Sequence, residues 1–502
     1  MAFVAFSHHA AKAITYTYCS FPTTEPNITN LAIMLKLEQT SVDRALNDVF
    51  PGNVFAIGGR VRDALFNEYH GTAYESKDAD YVIAGTTFED ARERLGRIGA
   101  ASQVGASFAC IKAKIHDVIV DLAFPRGSTQ SSPENALKSV IEDIYLRDFT
   151  MNGVSYRLAD DRIFAHQFAL RDLRDRKLRM AHSDAFSDDP TRLWRGVQFV
   201  GRFGLSIDLH TEAKMREQAH LLSTQAPQRI GEELMKLLGK SPSCAVAFDL
   251  ARRTGILDYT IPELAQTYGV EQNIFHRFDV FGHTVEAIEF APRTALDRLA
   301  ALCHDLGKTD TQEVGNSRGA TFHGHESVGA DMTAEMLRRL RLPNELVDAT
   351  ATLVREHMYV VDPSITDGAV RRFIKRVGPE LIERQFTLRH ADAAGCGLPR
   401  PGSEARNAAF ELRVRTMIAM APVLTPKHLA IDGDTIVRAL IKSGLKPSCY
   451  RGDATVGNIL GRLLDDVIEN PAVNTSEALR ERLGQSIEKI AVKMRPSIGF
   501  SL

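Results

Sequence analysis

The stretches Asn53–Leu65 (NVFAIGGRVRDAL) and Lys77–Gly85 (KDADYVIAG) decide how the first part of this chain folds. Val54–Ile57 is an apolar run of strand composition, and Arg60–Tyr69 carries helical spacing, so Gly58 and Gly59 form a strand-to-helix turn. Glycine lets a ligand phosphate approach the backbone, and a helix N-terminus offers free N–H groups and a positive dipole end. In the second stretch Asp78 and Asp80 are one residue apart on a predicted strand. Period-two alternation points both carboxylates to one side, within reach of one divalent cation or a pair of them. Like charges so placed are costly unless a cation neutralises them. Working outward, Phe108–Ile115 (FACIKAKI) and Asp117–Phe124 (DVIVDLAF) read as further strands, and Thr87–Gly99 as a helix. Asp121 lies on the second of these strands. Three acids on neighbouring strands beside a glycine turn suit a two-metal phosphoryl or nucleotidyl transfer site. The expected fold class here is α+β with a mixed sheet.

The 502 residues carry 61 Lys and Arg against 63 Asp and Glu, a formal charge of −2. That balance excludes a uniformly basic nucleic-acid coat and confines any RNA contact to a local groove. A hydrophobic content of 44% supplies real cores and excludes a disordered chain. The 6 cysteines lie far apart with no CxxC pair, so neither a disulfide framework nor a thiolate zinc site is expected. No run approaches the roughly 18 apolar residues of a membrane span. The expected setting is cytoplasmic. From about Gln167 onward the strand signal fades and amphipathic helices, broken by prolines, dominate. Gly395–Arg406, rich in Gly, Pro and Ser, reads as a linker before a last helical segment. Gly307–Thr309 spells the GKT of a Walker A loop, but Leu302 stands where its first glycine is required.

GG-x-V-R-D followed by D-x-D resembles the active-site motif of the tRNA nucleotidyltransferase (CCA-adding) and poly(A) polymerase family, class II, whose members belong to the polymerase-β-like nucleotidyltransferases. VGASFACIKAKI, VDLAFPR, LRDFTMNGVSY, RDLRDRKLR, SDDPTRLWRGVQFVGRFGL and QRIGEELMKLL follow in the family's order. The resemblance implies that Asp78 and Asp80 bind Mg²⁺; Asp121, read from its strand, is the third candidate catalytic acid. It implies that Gly58, Gly59, Arg62 and Asp63 serve nucleotide binding, and that Arg147, Asp148 and Asn152 contact phosphate and ribose.

Asp189, Arg192 and Arg195 recur at intervals of three and share one broad helix face, with Asp188 or Asp189 and Pro190 as the helix start. Cytosine and adenine both present an amino donor beside a ring-nitrogen acceptor, where uracil and guanine present a carbonyl. A carboxylate accepts from the amino group and a guanidinium donates to the ring nitrogen, so Asp189 with Arg192 selects C and A together. In the family this pair is the amino-acid template, and Arg195 helps to bind the triphosphate. Members often carry another Arg three residues on; Gln198 stands there in this chain. The loop between Arg62 and Asp78 is longer than usual. The segment before RDLRDRKLR, which in the family carries an acid and glycines and adjusts the pocket between C and A addition, reads FAHQFAL here.

His283, the adjacent His304 and Asp305, and Asp392 follow in the order of the HD phosphohydrolase signature, H…HD…D, with HDLGK as a specific form of it. Imidazole and carboxylate suit a divalent metal, and a metal-bound water is a nucleophile for phosphate esters. The resemblance makes these four residues ligands of a second divalent metal, with Lys308, His325 and His357 nearby. Residues 407–502 resemble the family's tail, which packs against tRNA. Basic clusters at Arg171–Arg179, Arg338–Arg341 and Arg371–Arg376 suit salt-sensitive RNA contact.

The organisation expected is an N-terminal extension of unknown role (1–42), a nucleotidyltransferase head (43–165), a helical, nucleotide-selecting neck (166–270), an HD domain (271–400) and an RNA-binding helical tail (407–502). The expected function is Mg²⁺-dependent addition of C and A to tRNA 3′ ends from CTP and ATP without a nucleic-acid template, with HD phosphohydrolase activity as an addition. The alternatives are a poly(A) polymerase or a partial CC- or A-adding enzyme. Of another class is an HD-domain metal phosphohydrolase whose first domain senses nucleotides or RNA.

Overall fold

The computed structural model describes residues 17–18, 31–32, 37–76, 80–103, 110–126, 133–316, 319–398, 402–420 and 422–494. Asp78 lies outside these residues. The chain forms two compact units, Met1–Pro262 and Glu263–Leu502.

The first unit is built on a seven-stranded sheet of β1 (Val54–Ile57), β2 (Asp80–Ile83), β3 (Ala100–Gln103), β4 (Cys110–Ile115), β5 (Val118–Ala123), β6 (Val154–Arg157) and β7 (Arg162–Ala165). Their order is β3-β4-β5-β2-β1-β6-β7. Only β2 and β5 run parallel to each other, so the sheet is mixed, as expected. The four residues of β1 are all buried, which explains their unbroken apolar run, whereas β4 alternates buried and exposed positions with period two. His116 and Asp117, both at positive φ, turn β4 into β5 in two residues. The sequence pattern did not single out β3, β6 or β7, because such short strands carry little periodic signal.

Helix α1 (Ser41–Val49) is closed by a Thr40–Asp43 capping box, and buried Asp43 takes two hydrogen bonds of 2.7 Å from Arg60. This clamp fixes the start of α2 (Gly59–His70) against the sheet. Two long helices complete the wall of the site, α3 (Thr191–Phe203) and α4 (Pro227–Lys240). Trp194 and Phe203 of α3 are core residues.

The second unit is mostly helical. Helices α5 (Val280–Phe290), α6 (Ala295–Cys303), α7 (His325–Arg339), α8 (Asn344–Arg355) and α9 (Ile382–Gly395) surround one polar cluster. Further on, α10 (Gly433–Lys442), α11 (Ala454–Glu469) and α12 (Ser476–Met494) contribute to a separate core around Ile436, Leu440, Ile459 and Leu463. The helical expectation after Gln167 misses two short ladders, Lys177–Leu178 with Ser206–Ile207 and Glu313–Asn316 with Gly319–Thr321. Neither is long enough to show strand alternation in a sequence.

Candidate active site

At the β1–α2 turn Gly58 has φ +69°, and a Cβ there would stand 3.1 Å from Asp80 Oδ2. A Cβ on Gly59 would stand 2.6 Å from Ser76 Oγ. Both glycines are therefore demanded by close approach, the first by backbone conformation as well. Asp80 opens β2, and its in-register partner on parallel β5 is Asp121, so the two residues face the same side of the sheet. Asp121 is half-exposed, 3.5 Å from Lys112, and does not line the cavity described next.

Beside this turn lies a cavity of about 790 Å³. It gathers Gly58, Gly59, Arg62, Asp80, Arg147, Asp148, Asn152, Asp189, Arg192 and Arg195, residues spread over about 140 positions of sequence. Nine basic side chains line it against five acidic ones, an excess that suits a polyanion.

Arg62 is a buried wall of this cavity. Its Nε donates to Asp63 at 2.7 Å and its Nη1 to Asn152 at 2.9 Å, and the guanidinium lies 5.1 and 4.9 Å from the ring centres of Phe199 and Phe203. Burial pulls its pKa below the ordinary arginine value, partly offset by Asp63. Asp63 sits behind the cavity, bridging Arg62 and Arg202. Asp148 accepts from Arg195 Nε at 2.9 Å, from Asn152 Nδ2 at 2.8 Å and from the Phe149 N–H at 2.8 Å. Burial pushes its carboxyl upward, but Arg195 and these hydrogen bonds outweigh it and hold the group below the usual range. Arg147 is tied to Asp143.

Pro190 starts α3, with Asp189 extended just before it and accepting from the Thr191 N–H at 3.1 Å. Asp189 and Arg192 share the cavity but do not pair. Arg229 of α4, which sequence reasoning did not assign, donates to Asp189 at 2.7 Å. Arg192 donates to the carbonyls of Ala185 (3.1 Å) and Leu146 (3.3 Å), with His182 Nε2 at 3.4 Å. Arg229 is distant from Asp189 in sequence, so no local pattern could have paired them. Gln198 also lines the cavity; it is 3% exposed, and its Nε2 has no acceptor among the described residues. An unmet buried donor of this kind costs about 1–3 kcal/mol. In FAHQFAL, Ala169 is fully buried and His166 is pinned, its Nδ1 accepting from the Phe168 N–H at 3.2 Å and its ring 4.4 Å from that of Tyr145.

In the second unit, His283 Nε2 lies 3.0 Å from His304 Nε2, and 3.2 Å from both Asp305 Oδ2 and Asp392 Oδ1. The other oxygen of Asp305 faces His325 at 3.5 Å and His357 at 4.0 Å, and those two imidazoles are 3.1 Å apart. His283, His304 and Asp392 form one compact set of potential metal donors, and Asp305, His325 and His357 another. The sequence order had left His325 and His357 only nearby. Burial opposes protonation of His283, but its hydrogen bonds to Asp305 and Asp392 raise its pKa well above the usual value. Burial drives His357 down to about 3, so it is a neutral imidazole, as a metal ligand must be. The donor set fits a divalent cation. Lys308 donates to Asp305 at 2.6 Å.

The basic clusters are largely engaged. Arg372, Lys375 and Arg376 pair with Glu469, Asp465 and Glu356, Arg339 with Glu263, and Arg179 with Asp172 and Asp208. Among the described residues, no helix is long and apolar enough to cross a membrane.

Three family models match the chain: the poly A polymerase head domain over residues 54–179, the probable RNA and SrmB-binding site of polymerase A over 204–267, and the HD domain over 280–394. The A-adding tRNA nucleotidyltransferase of Deinococcus radiodurans is 35% identical over 337 residues, 65% of this chain and 76% of that protein. The CC-adding tRNA nucleotidyltransferase of Thermus thermophilus is 31% identical over 411 residues, 78% of this chain and 88% of that one. The crystal structure of the Bacillus stearothermophilus CCA-adding enzyme in complex with CTP superposes with a TM-score of 0.62 at 20% identity, covering 91% of this chain and all of that one, which shows a shared fold. The head and HD domain types imply dependence on a divalent metal. The chain is a nucleotidyltransferase and belongs to the tRNA nucleotidyltransferase and poly(A) polymerase family.

Proposed function

We propose that this protein adds C and A residues to the 3′ ends of tRNA from CTP and ATP, with no nucleic-acid template. The observation that supports this reading is a single cavity with a glycine turn and Asp80 at one part of its wall and Asp189 and Arg192 at another. Asp78, Asp80 and Asp121 would hold Mg²⁺, which lowers the barrier to attack by a hydroxyl and neutralises triphosphate charge. The turn at Gly58 and Gly59 would seat phosphate, with Arg195 and Arg147 adding positive charge and Arg62, held by Asp63, forming the wall. Asp148 and Asn152 would orient the sugar. Asp189 and Arg192 would read the amino group and ring nitrogen that C and A share. The terminal tRNA hydroxyl then attacks the α-phosphorus, a new P–O bond forms and pyrophosphate leaves. The HD cluster of the second unit would bind a divalent cation and support phosphoester hydrolysis.

A second reading, addition of only part of the triplet, is favoured by one local feature. The segment that adjusts the pocket in the family is here packed down through Ala169 and His166. The relatives named A-adding and CC-adding agree with it. Purified protein given tRNA ending before the triplet, with labelled CTP, ATP or both, should extend it, and Asp80→Ala should abolish extension, a loss of at least ~10³-fold. Product length with each nucleotide separates full from partial addition. Failure to extend any tRNA end would remove the proposal.

A further inference from the structure

Helix α3 lines the cavity along its length. Asp189 and Arg192 stand at its N-terminal end, while Arg202, bonded to Asp63 at 3.0 Å, stands at the end where Arg62 also meets Asp63. At a rise of about 1.5 Å per residue, Arg192 and Arg202 are about 15 Å apart along the axis, comparable to an extended nucleoside triphosphate. Gln198 falls between them. Its side chain is polar but uncharged, and its buried Nε2 lacks an acceptor among the described residues. Arg195, one turn earlier, already serves Asp148. Gln198 lines the cavity while its Nε2 is turned into the wall, so a rotation of the side chain lets a ligand oxygen satisfy this donor.

We propose that Gln198 is a nucleotide-binding residue whose side-chain amide donates to a ribose or phosphate oxygen common to CTP and ATP. The inference rests on the nucleotide reading of the cavity. Its place midway along α3 sets it beyond the base-reading pair, so it strengthens binding without choosing between bases. A neutral amide donor makes a weaker hydrogen bond to such an oxygen than a charged guanidinium, which can also bind it bidentately.

Calorimetric titration of the full-length protein in Mg²⁺ with CTP, ATP and inorganic tripolyphosphate tests this. Gln198→Met, similar in shape but without a donor, should weaken CTP and ATP by the same factor, about tenfold. Gln198→Glu, which sets a carboxylate against the ligand oxygen, should weaken both further. A parallel loss for tripolyphosphate places the contact on phosphate, and an unchanged tripolyphosphate affinity places it on ribose. Melting of unliganded Gln198→Met should be unchanged or raised, because an unmet buried donor has gone, whereas a purely structural glutamine would lower it. Wild-type affinity in either variant, or a loss confined to one base, overturns the assignment while leaving the cavity reading intact. Failure of the wild-type protein to bind any of the three ligands overturns both.

Discussion

The cavity of the first unit and the histidine cluster of the second are both rich in ionisable groups, yet they are unbalanced in opposite senses. In the cavity, basic side chains outnumber acids, and Arg195 and Arg229 are held by Asp148 and Asp189. In the cluster, His283 Nε2 stands 3.2 Å from carboxylate oxygens of both Asp305 and Asp392, with His304 Nε2 at 3.0 Å, so donors converge on one point. One region presents an excess of cationic side chains, and the other presents converging imidazole and carboxylate donors. Residue types alone do not show this, since both regions hold acids and bases; it follows from which charges face each other and which are left over.

The contrast can be broken most severely at His304. Replacing it with Ala removes a donor from the first set and should weaken binding of Mn²⁺ or Ni²⁺ to the second unit by about 100-fold, read by titration. Nucleotide incorporation should be unchanged; a parallel loss would show that the two sites act as one. A smaller effect is expected at Arg229. Arg229→Gln frees one oxygen of Asp189 and loosens its aim, and should cut discrimination of CTP and ATP against UTP and GTP by about tenfold. Misincorporation assays read this directly, and undiminished selectivity would mean that Thr191 alone orients Asp189.

The smallest effect sharpens the comparison between two histidines. Burial pulls His166 down to about 4 from an unfolded value near 6.5, whereas His283 is raised. Because its folded value is depressed, the stability tied to neutral His166 is full above about pH 6.5 and is lost as pH falls toward 4. His166→Gln should flatten melting temperature against pH in that window. An identical slope in the variant would mean that other groups govern it.

Much of the site was legible in local pattern. The glycine pair was readable because Val54–Ile57 is strand-like and Arg60–Tyr69 helical, and both positions prove to be tightly approached by Asp80 and Ser76. The row Asp189, Arg192, Arg195 was readable from helical spacing. Asp121 was legible as a strand acid, but not that it stands in register with Asp80 while remaining outside the cavity's lining. Arg62 was named only as a nucleotide-binding residue that the resemblance implies; the Phe199 and Phe203 rings over which its guanidinium lies come from a helix far along the chain.

The sequence by itself determined the mixed α+β head, the helical remainder, the strand-to-helix glycine turn and the order of the HD residues. The first three depend on periodicity and on conformational limits that act within a few residues, and the last on the resemblance of its motif order to the HD signature. Only the tertiary structure decided that Arg229 holds Asp189, that Asp305 turns one oxygen to His283 and the other to His325 and His357, and that Gln198 carries an unmet donor. Each is a matter of which distant groups share a small volume, and hydrogen bonds act over about 3 Å, a distance that separation along the chain does not encode.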